Sequence, residues 1–460
     1  MSMDKNYESY INAFNKGEAF RKEKDYKKAI SFYKKALKFK PDSAASLNNM
    51  AVAYIFLDEY EKAEKALRRA YRLKQDNKVI LNLALSLYVQ KKYSLSVKYF
   101  KKIIDIKYSN NVLEIFCDAL YHEGKYKDAV EYIETYAKDG FDTDLYISLI
   151  DKLIEQEQFS LAKKVLNKIS ISDKNSSKAF QQLSLIEKGE NYNAEYKIKN
   201  RKSVTSLCDY IKVINSIKKA NPNGIFIFRG QTNKYKPLVP SLFRQKSLID
   251  DEKNIIKDFN LKAEAYFNRD MELFDDVDKV ALMQHHGVPT RLLDFSESPL
   301  VALYFALEKS PQDTNAISPC VYALNLKAFS YNTNGCLLSA KQVAASKSSG
   351  KIFKHDYGTC AFSPKLKNKR LTAQKGVFVL FKDNVALEKT VKKECITKIE
   401  IPRTYVAEIK QELSNIGITP STIYPDFTGL AQEIRTPRKF VDDKPTLKNA
   451  SKYWNFYLKD

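Results

Sequence analysis

The sequence predicts two fold classes in one chain. Residues 1–200 read as an all-α solenoid of helical repeats, and residues 204–440 as an α+β domain with a mixed or split β-sheet, followed by a tail at 441–460. Three observations predict this. An aromatic with a small residue three places on recurs every 33 or 34 residues through the first half. Beyond residue 204 the pattern changes to short apolar runs of strand length between helix-like stretches. One segment at 284–307, QHHGVPTRLLDFSESPLVALYFAL, crowds turn formers, two His, an Arg, an Asp and a Glu against an apolar helix.

The recurring pairs are Tyr26/Ala29, Tyr60/Ala63, Tyr93/Ser96, Tyr126/Ala129 and Phe159/Ala162, with a weaker sixth copy at Tyr192. A fixed period of this length marks stacked helix pairs. Small residues let the helices approach, and aromatics fill the space between successive pairs. In copy one, Gly17, Phe20, Tyr26, Ala29, Tyr33, Ala36 and Pro41 fall where two antiparallel helices need them. Such an array offers a concave face. The expected occupants are a peptide or helical segment of a protein partner, the chain's own second domain, or another subunit. His122, in YHEGKY, stands alone at an inter-helix turn and reads as solvent-facing.

The second half opens with an amphipathic helix at 204–219, with Leu207, Tyr210, Ile211, Ile214 and Ile217 on one side, and an NPNG turn at 221–224. IFIFRGQ at 225–231 is a strand that delivers Arg229, Gly230 and Gln231. An Arg held by a buried strand is a rigid bidentate donor for phosphate or carboxylate, or one arm of a structural salt bridge. Gly230 permits close approach of a ligand or a neighbouring strand. Residues 249–273 read as a helix. Further on, a helix ends at 280–285, with Gly287 as its cap and Pro289 forbidding continuation. An extended segment follows at 290–295. Ser296 is then the expected N-cap of a helix at 299–308 whose apolar face is Leu300, Leu303, Tyr304 and Leu307. This order brings His285, His286, Arg291, Asp294, Ser296 and Ser298 to one mouth, where a helix start favours an anion. Asp294 reads equally as a bridge to Arg291 or as a cap.

The later strands are expected at 320–324, 376–380, 395–399 and 405–409, with Asp426 preceding a helix that carries Glu433. Trp454, Phe456 and Tyr457 are expected to dock the tail.

Composition narrows the chemistry. Adjacent His side chains diverge, and the six Cys form no CxxC pair or Cys/His cluster, so no metal site or disulfide framework is expected. The net charge of +22 suits polyanions. Eight cations between Lys341 and Arg370 face the single acid Asp356, with His355, Tyr357 and Phe362 among them. The stretch suits RNA or DNA contact, and equally a solvated loop. No apolar run reaches membrane-spanning length, and MSMDKNYESY lacks a signal-peptide core, so a cytoplasmic protein without membrane contact is expected.

The repeat residues resemble tetratricopeptide repeats. FIFRGQ, MQHHGVPTRLLDFSESPLVALYFA, RLTAQKGVF and IYPDFTGLAQEI, in this order, resemble the FRG domain, named for a Phe-Arg-Gly signature that here is Phe228-Arg229-Gly230. That resemblance implies a bacterial protein with features of the ADP-ribosyltransferase fold and NAD as its cofactor. It implies that Arg229 holds the pyrophosphate or the nicotinamide-side ribose. Gln231, Arg291, Asp294, Ser296 and Ser298 would line the same pocket, with His286 bridging. Gln374 would stand where ADP-ribosyltransferases commonly place a catalytic Glu. A Gln keeps the hydrogen bond to a ribose hydroxyl but loses the charge that steadies an oxocarbenium-like transition state. Asp294 or Glu297 would then supply it. The implied function is an anti-phage effector or toxin that transfers ADP-ribose or cleaves NAD under control of the repeats. Two other readings stand beside it: a nucleic-acid-binding protein or nuclease, and a non-catalytic binding or scaffold protein.

Overall fold

A computed structural model of the chain describes residues 2–103, 110–136, 143–167, 176–196, 198–267, 276–308, 317–329, 337–345, 358–365 and 369–435. The chain divides into two compact units after Leu183.

The first unit is all-α. Each recurring aromatic of the first five copies begins the second helix of a pair: Tyr26–Phe39, Tyr60–Leu73, Tyr93–Phe100, Tyr126–Tyr136 and Phe159–Leu166. Two residues before each, the turn requires a left-handed backbone, supplied by Lys24, Asp58, Lys91, Gly124 and Glu157 at φ of 57 to 70°. Only one of these five is the glycine that such a conformation favours, and so the turns are weak in sequence while the pair positions are strong. The small partners Ala29, Ala63, Ser96, Ala129 and Ala162 are fully buried. The aromatics do bridge successive copies: Tyr26 stacks on Phe56 at 4.5 Å and Tyr93 on His122 at 4.2 Å. His122 is exposed at the end of its helix, as expected, but it does not stand alone, because its Nε2 also lies 3.4 Å from Asp118. The sixth copy is not a pair. The helix Ser176–Tyr196 runs through the sixth aromatic without a turn.

The second unit is built on an eight-stranded mixed sheet. Its strands are β1 (Arg201–Ser203), β2 (Phe226–Gln231), β3 (Leu292–Ser296), β4 (Cys320–Asn325), β5 (Leu338–Ser339), β6 (Cys360–Ser363), β7 (Gly376–Leu380) and β8 (Ile396–Glu400). Their order across the sheet is β1-β8-β4-β2-β3-β7-β6-β5. The β1–β8 and β5–β6 pairs are parallel and the others antiparallel. On one face the helices Leu207–Ala220, Pro299–Leu307 and Val406–Asn415 bury Tyr210, Leu303 and Ile409 against Phe228 and Val321. On the other, Leu238, Leu242 and Phe243 pack on Ile227, Tyr322 and Val379.

Several expectations change here. The strand expected at 405–409 is the start of the helix Val406–Asn415, because Val406, Ile409 and Leu413 bury at helical spacing. The helix expected at 249–273 is broken at Asp251 into Lys246–Asp250 and Glu252–Phe267. In the helix Leu207–Ala220, Ile211 points to solvent while Leu207, Tyr210 and Ile214 are buried. Ser298, not Ser296, caps Pro299–Leu307, accepting from the Val301 N–H. That helix buries Val301, Ala302 and Ala306 as well as Leu303, Tyr304 and Leu307, so it has no single apolar face. Gly230 explains one side of its burial. A Cβ there would lie 2.0 Å from the Ala302 carbonyl oxygen, so the close approach is helix on strand. Gly287, at φ +79°, ends the helix Asp276–His285 as expected. Trp454, Phe456 and Tyr457 lie outside the described residues.

Candidate ligand pocket of the second unit

β2 and β3 are neighbours in the sheet, yet they are in register only at Phe228↔Ser296. Beyond that pair the strands part, and a cavity of about 340 Å³ opens between them. Arg229 and Gln231 enter it from β2, Asp294 and Ser296 from β3, Arg370 from the short helix Lys369–Ala373, and Gln374 from the turn between that helix and β7. Gln284 and His285, at the end of the helix Asp276–His285, complete the polar wall.

Hydrogen bonds hold these groups in place. Arg229 Nη1 donates to the Asp294 carbonyl oxygen at 2.5 Å and lies 3.9 Å from the Asp294 carboxylate. Gln284 Nε2 donates to that carboxylate at 2.9 Å, and Thr290 Oγ1 orients the amide by donating to its oxygen at 2.6 Å. Ser296 Oγ donates to the Gln374 carbonyl at 2.7 Å, tying β3 to the turn before β7. The Gln374 amide donates to Ile423 O at 3.3 Å.

Two polar atoms remain without partners. Arg229 Nε and Gln231 Oε1 are both buried and make no hydrogen bond. Such atoms cost stability unless something satisfies them. Burial pulls the Arg229 guanidinium below its ordinary range; Asp294 opposes this and nearby Arg244 adds to it. Burial, with His286 and Arg370 nearby, likewise lowers His285. Among the lining residues Arg229, Lys236 and Arg370 outnumber the single acid, Asp294. The lining thus combines an excess of cations with one unpartnered amide oxygen, a set of groups whose chemistry suits an anion that also carries a hydrogen-bond donor.

The remaining expected residues lie elsewhere. Arg291 gives Nε to Glu252 at 2.7 Å and Nη1 to the carbonyls of Phe381 and Lys382, so its donors are committed to the fold. Ser298 is committed to its cap. Glu297 is exposed and is not among the lining residues. Of the two histidines it is His285 that lines the cavity; His286 meets it edge-on at 5.1 Å. Asp294 pairs with Arg229 and Gln284, not with Arg291. The sequence assigns Gln284 no role, and it assigns Arg370 only to the basic stretch at 341–370, although both stand inside the motifs that form this cavity. Their signal was position within QHHG and RLTAQ.

In the basic stretch at 341–370, Lys341, Lys365, Lys369 and Arg370 are described and the other cations lie outside the described residues. Among the described residues no three His, Cys, Asp or Glu side chains gather as a metal would require, and no helix is long and apolar enough to cross a membrane.

Residues 224–315 match the FRG domain family. The second unit carries an FRG domain. The matched span holds Arg229, Gln231, Gln284, His285, Asp294 and Ser296, while Arg370 and Gln374 of the same cavity lie beyond it. Residues 9–76 match the tetratricopeptide repeat, so the FRG domain follows tetratricopeptide repeats in this chain. No curated protein matches the chain. Similar solved structures include YrrB, described as a tetratricopeptide protein with an unusual peptide-binding site (17% identity, 41% of this chain and 96% of that one, TM-score 0.34). Others are pilF of Pseudomonas aeruginosa (16%, 47% and 94%, 0.31) and MamA (15%, 42% and 97%, 0.30). At these scores we rest the repeat assignment on the period, the helix pairs and the family match.

Proposed function

We propose that this chain is a two-part binding protein. The repeats hold a segment of a protein partner, and the FRG domain holds a small anionic ligand of the nucleotide class, for which NAD and ADP-ribose are the first candidates. The observation that carries the reading is the pair of unpartnered buried atoms, Arg229 Nε and Gln231 Oε1, in a cavity with more cations than acids. A phosphate would accept from the guanidinium, and a hydroxyl or amine would donate a hydrogen bond to the Gln231 oxygen. At about 340 Å³ the cavity stands at the small end of ligand sites, and it would enclose one half of a dinucleotide.

Calorimetric titration of the full chain with NAD, ADP-ribose and AMP tests this. At least one should bind, and Arg229→Met should weaken it tenfold or more, about 1.4 kcal/mol. No binding by any of the three would overturn the reading.

A second reading makes the domain an effector that transfers ADP-ribose or cleaves NAD. It is favoured by Asp294, whose side chain is 56% exposed beside Arg229 and is the one acid lining the cavity. A carboxylate there would steady a developing ribosyl cation in the place Gln374 leaves neutral. NAD consumption that is lost in Asp294→Asn while NAD binding persists would establish it.

A further inference from the structure

The positive charge of the chain is unevenly placed. Residues 1–103 carry 23 Lys and Arg against 11 Asp and Glu, whereas residues 104–183 carry 10 against 14. The first three repeat copies therefore carry a net charge of +12 and the residues after them, to 183, a net charge of −4.

Within those copies the cations are in register. Lys34 and Lys35, Arg68 and Arg69, and Lys101 and Lys102 occupy the same repeat positions, at steps of 34 and 33. Lys38 and Arg72 form a second column. All but Arg68 are exposed. Arg68 is paired with Glu64, and Lys101 lies 3.6 Å from Asp128. The column of Lys35, Arg69 and Lys102 has no acid partner among the described residues. It is also continuous. Arg69 Nη2 reaches back to the Pro41 carbonyl at 2.7 Å, and Lys102 Nζ reaches back to the Tyr71 hydroxyl at 2.5 Å. At the fourth copy this column gives way to the uncharged Thr135, and the adjacent column of Lys34, Arg68 and Lys101 ends on an acid, Glu134, paired with Lys164.

Aromatic rings stand between the cations. Tyr71 and Tyr99 meet edge to face at 5.4 Å beneath Lys102. In the first copy an open cleft of about 290 Å³ lies between the helices Ser2–Lys22 and Tyr26–Phe39, lined by Lys16, Phe32, Lys35, Lys38 and Phe39. Phe39 is 45% exposed there.

We propose that the second helices of the first three repeats, with the turn that follows Tyr93–Phe100, bind single-stranded nucleic acid. The cation column tracks the phosphates, and the Phe32/Phe39 cleft takes a base. A regular cation array fits a polymer of regular charge. The interleaved rings give planar bases a stacking surface, for which an acidic protein segment has no use. This site is separate from the FRG cavity and does not depend on what that cavity binds.

Fluorescence anisotropy of the full chain with a labelled oligouridine of about 20 nucleotides, over a salt series, tests the assignment. Engaging Lys35, Lys38, Arg69, Arg72 and Lys102 should give a salt slope of about −3.5 in log K against log salt. The double variant Lys35→Gln/Lys102→Gln leaves the Arg69–Pro41 bond in place, with circular dichroism confirming the fold. It should flatten the slope by roughly 1.4 and weaken binding at low salt about tenfold or more. Phe39→Ala should weaken binding about fivefold or more without changing the slope, because stacking carries no counterion release. No binding at about 50 mM salt, unchanged binding by the double variant, or equal binding of polyglutamate of the same length would overturn it.

Discussion

Two buried polar clusters lie side by side in the FRG domain sheet, and they differ in one respect. Tyr322 on β4 is in register with Arg229 on β2. Around Tyr322 almost every polar group is met. Its hydroxyl lies 2.7 Å from that of Tyr192, which donates to Glu388, and Glu388 accepts the Leu238 N–H at 3.0 Å. Lys398 Nζ donates to Lys234 O at 2.6 Å and sits 4.5 Å over the Tyr192 ring. Around Arg229, one nitrogen and the neighbouring Gln231 oxygen are met by nothing. The closed cluster is what a structural polar network looks like, because partial satisfaction costs more than none. The open cluster keeps unsatisfied donors and acceptors in a cavity, which is what a ligand site needs.

The comparison breaks most sharply at Glu388. Glu388→Ala removes the acceptor for the Leu238 N–H and the Tyr192 hydroxyl and one of the negative charges near Lys398. The expected loss is about 3 kcal/mol in the stability of the FRG domain. Arg229→Met should do the reverse. It removes an incompletely paired guanidinium and should change stability by no more than about 1 kcal/mol, while ligand affinity falls tenfold or more. Chemical denaturation followed by hydrogen exchange in β2 and β4 measures both. A stability loss at Arg229 as large as that at Glu388 would show the two clusters to be of one kind.

The open cluster was largely legible in the sequence, and the closed one was not. Phe228-Arg229-Gly230, Asp294 and Gln374 stand in compact motifs, and motifs survive reading along the chain. The closed cluster joins Tyr192 to Tyr322 across 130 residues and to Glu388 across 196, with no local pattern to mark it. Tyr192 keeps the repeat period and so reads as a sixth repeat aromatic, yet it bonds within the second unit. The misses in secondary structure have similar causes. β1 is three polar residues at a sheet edge, held by pairing with β8 rather than by any apolar alternation. The helix Val406–Asn415 begins with a Val that suits a strand, and its helical spacing shows only when Leu413 is counted. In the repeats, packing set the pattern at every copy, and packing leaves periodic residues behind.

The smallest expected effect separates the units by pH. In the repeats, burial pushes the Asp118 carboxyl up, but hydrogen bonds from His122, Lys152 and Tyr88 outweigh it and hold the group below the ordinary range. In the FRG domain burial raises Glu388, and its backbone bonds, Tyr192 and Lys398 only partly offset this. The signs are opposite. A depressed carboxyl contributes stability that is present above its unfolded pKa, about 3.9, and lost as pH falls below it. A raised carboxyl contributes stability that is fully present below its unfolded pKa, about 4.3, and lost as pH rises through the folded value. Asp118→Asn should therefore cost about 2 kcal/mol at neutral pH and progressively less in acid. Glu388→Gln should cost most near pH 4 and less at pH 7. Unfolding is not two-state in a chain of two units, so hydrogen exchange in the helix Asn110–His122 and in β8 is the suitable readout. Both penalties moving the same way with pH would mean that the two carboxyls are held by the same balance of burial and bonding, and the contrast drawn between them would fail.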